Sequence, residues 1–107
     1  NESFLFFRSS NMSKDDILKI LNTYKTEHAE QYGITKIGLF GSCARGANTA
    51  QSDIDVFVTM QKPNIVLLSR IRTELEELFK THVDLVEYRE RMNGFLKSRI
   101  DKEAVYA

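Results

Sequence analysis

The sequence predicts an α+β domain in which helices flank a small mixed β-sheet. Helical periodicities alternate along the chain with short apolar runs that are typical of buried strands. A length of 107 residues gives room for one hydrophobic core. We therefore expect a single domain over residues 12–107. The run from Phe4 to Phe7 does not continue into a periodic element, so we expect residues 1–11 to be an N-terminal extension that is non-native or disordered.

Three segments have the spacing of amphipathic helices. Ser13 can cap the first, which is expected to end near Gly33. Pro63 is expected to open the second, because proline costs least at the start of a helix. A closing helix is predicted from Asn93 to Ala104. The apolar stripe of the second helix comprises Ile65, Leu68, Ile71, Leu75, Leu78 and Phe79.

Three short runs predict the strands of the sheet. The first extends from Lys36 to Phe40 and stops at Gly41. The second alternates apolar and other residues from Asp53 to Val58, and the third extends from His82 to Val86. Acidic residues interrupt the second and third strands, which is unusual for strands that are otherwise apolar.

Charge and cysteine content exclude several classes of protein. The chain has 15 Lys and Arg against 15 Asp and Glu, so it has no overall positive charge for non-specific binding to DNA. Its apolar runs are far shorter than the roughly 20 residues that a membrane-spanning helix needs. Cys43 is the single cysteine, which excludes an intramolecular disulfide and is typical of a reducing compartment. We expect a cytoplasmic protein and interpret Cys43 as a small buried residue.

Gly41 and Ser42 directly follow the first predicted strand. Glycine permits a tight turn, and a helix that starts there directs free N–H groups toward an anion. The hydroxyl of Ser42 can bind a phosphate oxygen, and Arg45 can add positive charge. Arg45 and Gly46 also fit a simpler interpretation, as a helix-end arginine and its C-cap glycine. The segment predicts a nucleotide-binding turn that uses Gly41, Ser42 and Arg45.

Asp53 and Asp55 lie two residues apart on a predicted strand, so both carboxylates project from the same face. Two neighbouring carboxylates repel each other unless a cation lies between them. Mg²⁺ fits, since it prefers oxygen ligands and is commonly held by carboxylates together with substrate phosphates. Asp84 interrupts the third strand, and if that strand lies beside the second, three carboxylates converge on one site.

Gly41-Ser42, ten intervening residues, Asp53-x-Asp55 and the later Asp84 resemble the signature of the DNA polymerase β-like nucleotidyltransferase superfamily. More closely, residues 13–107 resemble the minimal nucleotidyltransferase (MNT) domains that are encoded beside HEPN-domain partners as toxin–antitoxin pairs. The resemblance implies the nucleotidyltransferase fold and transfer of AMP from ATP to a hydroxyl group. It also implies that Asp53, Asp55 and Asp84 hold a two-metal Mg²⁺ site, with Gly41 and Ser42 on the β- and γ-phosphates.

The partner that the resemblance implies is a HEPN toxin encoded nearby, with a tyrosine hydroxyl as the acceptor. Two alternatives remain open. The chain could be a binding antitoxin that covers the toxin without chemistry, or the subunit of an aminoglycoside-type small-molecule nucleotidyltransferase. Five basic residues against two acidic ones between Tyr88 and Lys102 fit either a solvated surface or a surface for a partner or phosphate.

Overall fold

The computed structural model describes residues 12–47, 53–89 and 91–107. The expected extension, residues 1–11, and Glu90 of the basic tail lie outside these residues. Helices and strands alternate along most of the chain, as the sequence predicts. In chain order the elements are α1 (Lys14–Tyr32), β1 (Ile34–Phe40), α2 (Gly41–Ala44), β2 (Ile54–Met60), α3 (Ile65–Phe79), β3 (Val83–Glu87), α4 (Gly94–Glu103) and β4 (Val105–Tyr106).

The four strands form one mixed sheet in the order β3-β2-β1-β4. β1 is antiparallel to β2 and β4, whereas β2 is parallel to β3. The parallel pair is possible because α3 carries the chain back to the starting end of β2, as such a crossover must. The predicted fold class is therefore confirmed. β4 was not predicted, since two residues are too few to show an alternating pattern.

Side-chain caps fix the starts of three helices, α1, α3 and α4. The hydroxyl of Ser13 accepts a hydrogen bond from the N–H of Asp16 at 3.1 Å, which confirms the predicted start of α1. Pro63 does not open α3, so that expectation is wrong. Asn64 caps this helix instead, because its side-chain oxygen accepts from the N–H of Val66 at 2.8 Å and the helix begins at Ile65. Within the described ranges, no helix is long and apolar enough to cross a membrane.

The sheet is covered on both faces. α1 and α3 pack on one face against buried residues of β1 and β2 such as Leu39 and Val56. α4 covers the other face, where Ile100 contacts Phe40 and Phe57.

Part of the apolar stripe predicted for α3 lies outside the core. Its buried members are Ile71, Leu75 and Phe79, whereas Ile65 and Leu78 are exposed. Ile65 occupies the first position of the helix, before the turns that pack on the sheet. Leu78 and Phe79 are adjacent and point about 100° apart around the helix, so only one of them can face the sheet.

Candidate active site

Gly41 lies at the junction of β1 and the four-residue helix α2. Its φ is +74°, a left-handed conformation that favours glycine. A Cβ atom at this position would overlap the Oδ2 atom of Asp55 and lie 3.1 Å from its Cγ. The missing side chain therefore lets the backbone of the turn lie directly against the Asp55 carboxylate.

β2 and β3 bring two of the three predicted carboxylates side by side. Asp55 and Asp84 are paired in the parallel register, so their side chains project from the same face of the sheet. The two strands that carry them lie about 4.8 Å apart. Asp55 also pairs with Phe40, the residue immediately before Gly41. The structure thus confirms that the Asp84 strand lies beside the Asp55 strand, next to the Gly41 turn.

Asp53 lies outside the strand on which it was expected. β2 begins at Ile54, where pairing with Val83 of β3 also begins, and Asp53 precedes it as an exposed residue. The placement on a strand is therefore wrong by one residue, because the alternating pattern did not show where pairing starts. Asp53 is still near enough for its negative charge to contribute to the raised pKa of Asp55.

The electrostatics at Asp55 are those of crowded carboxylates. Burial raises the pKa of the Asp55 carboxyl, and the negative charge of Asp84 raises it further. The positive charge of Arg99 acts in the opposite direction. A cation bound beside Asp55 would stabilise the ionised carboxylate for the same reason that Arg99 does.

The chemistry of these side chains fits Mg²⁺, because carboxylate oxygens are its preferred protein ligands. Their placement fits only in part. Across residues 12–47, 53–89 and 91–107, no group of three or more His, Cys, Asp or Glu side chains is arranged to hold a metal ion. The structure brings two of the three carboxylates together, Asp55 and Asp84, and does not gather Asp53 with them, so a metal site that uses all three stays a prediction.

Glu103, the last residue of α4, contacts the Gly41 turn although the sequence analysis did not select it. Its Oε1 atom accepts a hydrogen bond from the N–H of Gly41 at 2.9 Å. In this structure the N–H is hydrogen-bonded to a carboxylate of the protein, so its binding to a phosphate stays a prediction. The two residues lie 62 positions apart, and no local spacing in the sequence connects them.

Two arginines meet the same carboxylate. Arg45 lies 3.2 Å from Glu103, measured from Nη1 to Oε2, and Arg99 lies 3.8 Å away, from Nη2 to Oε1. The guanidinium of Arg99 also lies 5.5 Å above the ring of Phe40. Arg45 is the C-cap of α2 and Gly46 has a φ of +71°, so the simpler helix-end interpretation describes both. The contact with Glu103 nevertheless holds Arg45 beside the turn.

Ser42 and Cys43 occupy α2. Ser42 is half-buried immediately after Gly41, and its carbonyl oxygen accepts a hydrogen bond from the N–H of Ala47 at 2.8 Å. Cys43 is buried, which confirms its interpretation as a small core residue. Burial raises the pKa of its thiol, so the protonated form is favoured and the group is a poor nucleophile.

Ion pairs within the tail use much of its positive charge. Lys97 pairs with Asp101 at 3.1 Å, and Arg89 pairs with Glu87 at 3.1 Å. Together with the contact between Arg99 and Glu103, these pairs engage three of the five basic residues. Glu87 and Glu103 lie directly outside the segment from Tyr88 to Lys102. The excess of basic over acidic residues within that segment therefore overstates the positive charge of this surface.

The profile of the nucleotidyltransferase domain family matches residues 20–107. The chain belongs to this family. A protein of Thermococcus cleftensis named protein adenylyltransferase MntA is 32% identical over 96 residues, which cover 89% of this chain and 96% of the relative. A Methanocaldococcus jannaschii protein, provisionally assigned as a protein adenylyltransferase, is 32% identical over 92 residues, covering 85% of this chain and 94% of that protein.

Solved structures share the nucleotidyltransferase fold. One is provisionally assigned as a minimal nucleotidyltransferase and superimposes with a TM-score of 0.72 at 26% identity, covering 90% of this chain and 97% of that one. Another is a chain from the complex of a tri-AMPylated Shewanella oneidensis HEPN toxin with its MNT antitoxin, with a TM-score of 0.66 at 17% identity, covering 87% and 70% of the two chains. The resemblance to minimal nucleotidyltransferases is thereby confirmed, and the chain is a nucleotidyltransferase.

Proposed function

We propose that this nucleotidyltransferase is an antitoxin that transfers AMP from ATP to a tyrosine hydroxyl of a HEPN-domain toxin. The observation that carries the proposal is the meeting of Asp55 and Asp84 in one register beside the Gly41 turn. The relative from Thermococcus cleftensis, named a protein adenylyltransferase, supports a protein as the acceptor. A fold neighbour solved as a toxin–antitoxin with AMP-PNP supports an adenine nucleotide as the donor.

In the proposed reaction, the oxygen of the acceptor hydroxyl attacks the α-phosphorus of ATP. A bond forms between that oxygen and the α-phosphorus. The bond from the α-phosphorus to the oxygen that bridges the α- and β-phosphates breaks, and pyrophosphate leaves. Asp84 accepts the proton of the hydroxyl, either directly or through a water. Asp55 lies beside Asp84 and fixes the direction from which the hydroxyl approaches the α-phosphorus. The products are an AMP ester of the acceptor and pyrophosphate.

Binding of the triphosphate is assigned to the turn after β1. Ser42 offers its hydroxyl, and Arg45 offers a guanidinium that is about half exposed next to the turn. Gly41 contributes by its lack of a side chain, which brings the turn against Asp55. Positioning and charge stabilisation of this kind account for most of the catalysis of phosphoryl transfer in general.

The residues proposed to hold Mg²⁺ are Asp53, Asp55 and Asp84. When bound, Mg²⁺ supplies charge neutralisation on the phosphates and lowers the pKa of the attacking hydroxyl. Asp55 is suited to this role because its carboxyl is crowded by Asp84 and Asp53, so that a cation removes an unfavourable repulsion. We further propose that residues 12–107 are one domain and that it acts in the cytoplasm, where ATP is available.

The proposal is tested by mixing the chain with the HEPN protein encoded beside it, ATP and Mg²⁺, and measuring the mass of that protein. One or more added AMP units are expected with the wild-type chain and none with Asp55→Asn plus Asp84→Asn. Absence of any added mass would refute the proposal.

The same double variant separates the enzyme from a binding antitoxin. A binding antitoxin neutralises the toxin in cells whether or not the two carboxylates are present. An enzyme loses neutralisation in the double variant while keeping its affinity for the toxin. A small-molecule enzyme of the aminoglycoside type would instead give drug resistance when expressed without the toxin.

A further inference from the structure

The Glu103 carboxylate contacts two groups of the proposed nucleotide site, the Gly41 turn and Arg45, and a third group that is not assigned to that site, Arg99 of α4. The carboxylate accepts the hydrogen bond of the Gly41 N–H at 2.9 Å and pairs with Arg45 at 3.2 Å and Arg99 at 3.8 Å. These groups come from two elements: Gly41 and Arg45 are the start and the C-cap of α2, and Arg99 lies in the middle of α4. A single side chain therefore ties the last turn of α4 to the turn that lies against Asp55.

The contact with Gly41 constrains the position of Asp55. Gly41 is buried, and the Asp55 carboxylate occupies the space that a Cβ atom on Gly41 would need. A buried N–H without a partner is destabilising, so the turn is held where the Glu103 carboxylate can reach it. A shift of this turn would move the backbone away from Asp55 or press it against the carboxylate.

The contacts with the two arginines restrict the positions of their positively charged guanidinium groups. Their side chains are partly exposed, 53% for Arg45 and 39% for Arg99, and long exposed side chains sample many rotamers. Ion pairing to a carboxylate that is itself only 24% exposed reduces the rotamer freedom of both arginines. Phe40 supports Arg99 from below, with its ring 5.5 Å from the guanidinium.

We propose that Glu103 is a positioning residue of the nucleotide site: it holds the Gly41 turn against Asp55 and fixes the guanidinium groups of Arg45 and Arg99 for the triphosphate. This inference rests on the proposed function. Glu103 itself does not touch the nucleotide, since its carboxylate would repel the phosphates, and it acts through the three groups that it holds.

Kinetics of AMP transfer with Mg²⁺, ATP and the HEPN protein test the proposal in three variants. Glu103→Gln keeps an oxygen for the Gly41 N–H but loses the negative charge, so the KM for ATP should rise about threefold while kcat stays within about twofold. Glu103→Ala loses the contacts with Gly41, Arg45 and Arg99, so KM should rise about tenfold and kcat should also fall. Asp101→Asn is the matched control on α4, because Asp101 pairs with Lys97 away from the turn, and its kinetics should be unchanged.

Amide hydrogen exchange at Gly41 separates this proposal from the proposed function. Exchange should become at least tenfold faster in Glu103→Ala and remain slow in Glu103→Gln and Asp101→Asn. If the wild-type chain transfers no AMP, the proposed function fails. In that case exchange at Gly41 still tests the contact, and slow exchange in Glu103→Ala would overturn the positioning role as well. In an active chain, an unchanged or lower KM in Glu103→Ala would overturn it, because a lower KM means that the carboxylate competes with the phosphates.

Discussion

Replacing Gly41 by alanine tests whether close contact between the turn and Asp55 is needed for catalysis. The added methyl group would overlap the Oδ2 atom of Asp55, and the φ of +74° disfavours any side chain. The left-handed backbone costs about 1–2 kcal/mol for alanine, and displacing the carboxylate adds about 1–3 kcal/mol. We expect Gly41→Ala to lose about 3 kcal/mol of the free energy of unfolding, and AMP transfer to fall about 100-fold or more because a displacement of about 1 Å has that effect.

Gly46→Ala supplies the control. Gly46 has nearly the same φ, +71°, but among residues 12–47, 53–89 and 91–107 no atom lies within 4 Å of the Cβ atom that alanine would add. It should therefore lose only the backbone contribution, about 1–2 kcal/mol, and keep its AMP transfer. Urea unfolding of both variants gives the stabilities, and transfer is measured below the unfolding transition. Equal stability and equal activity in the two variants would refute the importance of the contact with Asp55.

Three further variants test the account at separate places. Asp55→Asn should abolish AMP transfer and raise the free energy of unfolding at pH 7 by about 1 kcal/mol, since it removes a crowded carboxylate. Because folding raises the pKa of Asp55, the wild type regains this stability as the pH falls through the raised value. Melting curves of both proteins from pH 4 to 7 check this. A difference in stability between wild type and variant that does not narrow as the pH falls would contradict it. Glu74→Ala should lose about 1–3 kcal/mol with transfer unchanged, because it removes the acceptor of the Tyr24 and Tyr32 hydroxyls; urea unfolding with unchanged stability would be inconsistent with that network. Ile71→Ala should lose about 2–5 kcal/mol in the same assay, and a loss below about 1 kcal/mol would show that this fully buried residue is not central to the core.

Much of the fold could be predicted because its elements carry strong local patterns. In α1, the Ser13 cap and the periodic apolar residues are close together in the sequence. The alternating residues of β2 are equally close to one another. Boundaries were less certain where two local signals compete. Pro63 fits the first position of a helix, but the Asn64 side chain accepts two backbone hydrogen bonds and moves the start of α3 to Ile65.

The candidate site could be predicted where its residues leave a local signal in the sequence. Gly41, Ser42 and Asp55 belong to one strand–turn–strand segment, and Asp84 was found because it interrupts an apolar strand. Glu103 could not be found in this way, since its contact with Gly41 arises only after α4 folds across the sheet. The same packing brings Arg99 over Phe40, a contact between residues far apart in the sequence.

Transfer of labelled phosphate from ATP to the HEPN protein tests the central claim most directly. ATP labelled at the α-phosphate should leave its label on the toxin when the wild-type chain and Mg²⁺ are present, whereas ATP labelled at the γ-phosphate should leave none. Asp55→Asn plus Asp84→Asn should leave no label in either case. Label from the γ-phosphate on the toxin, or none from the α-phosphate with the wild-type chain, would contradict the account.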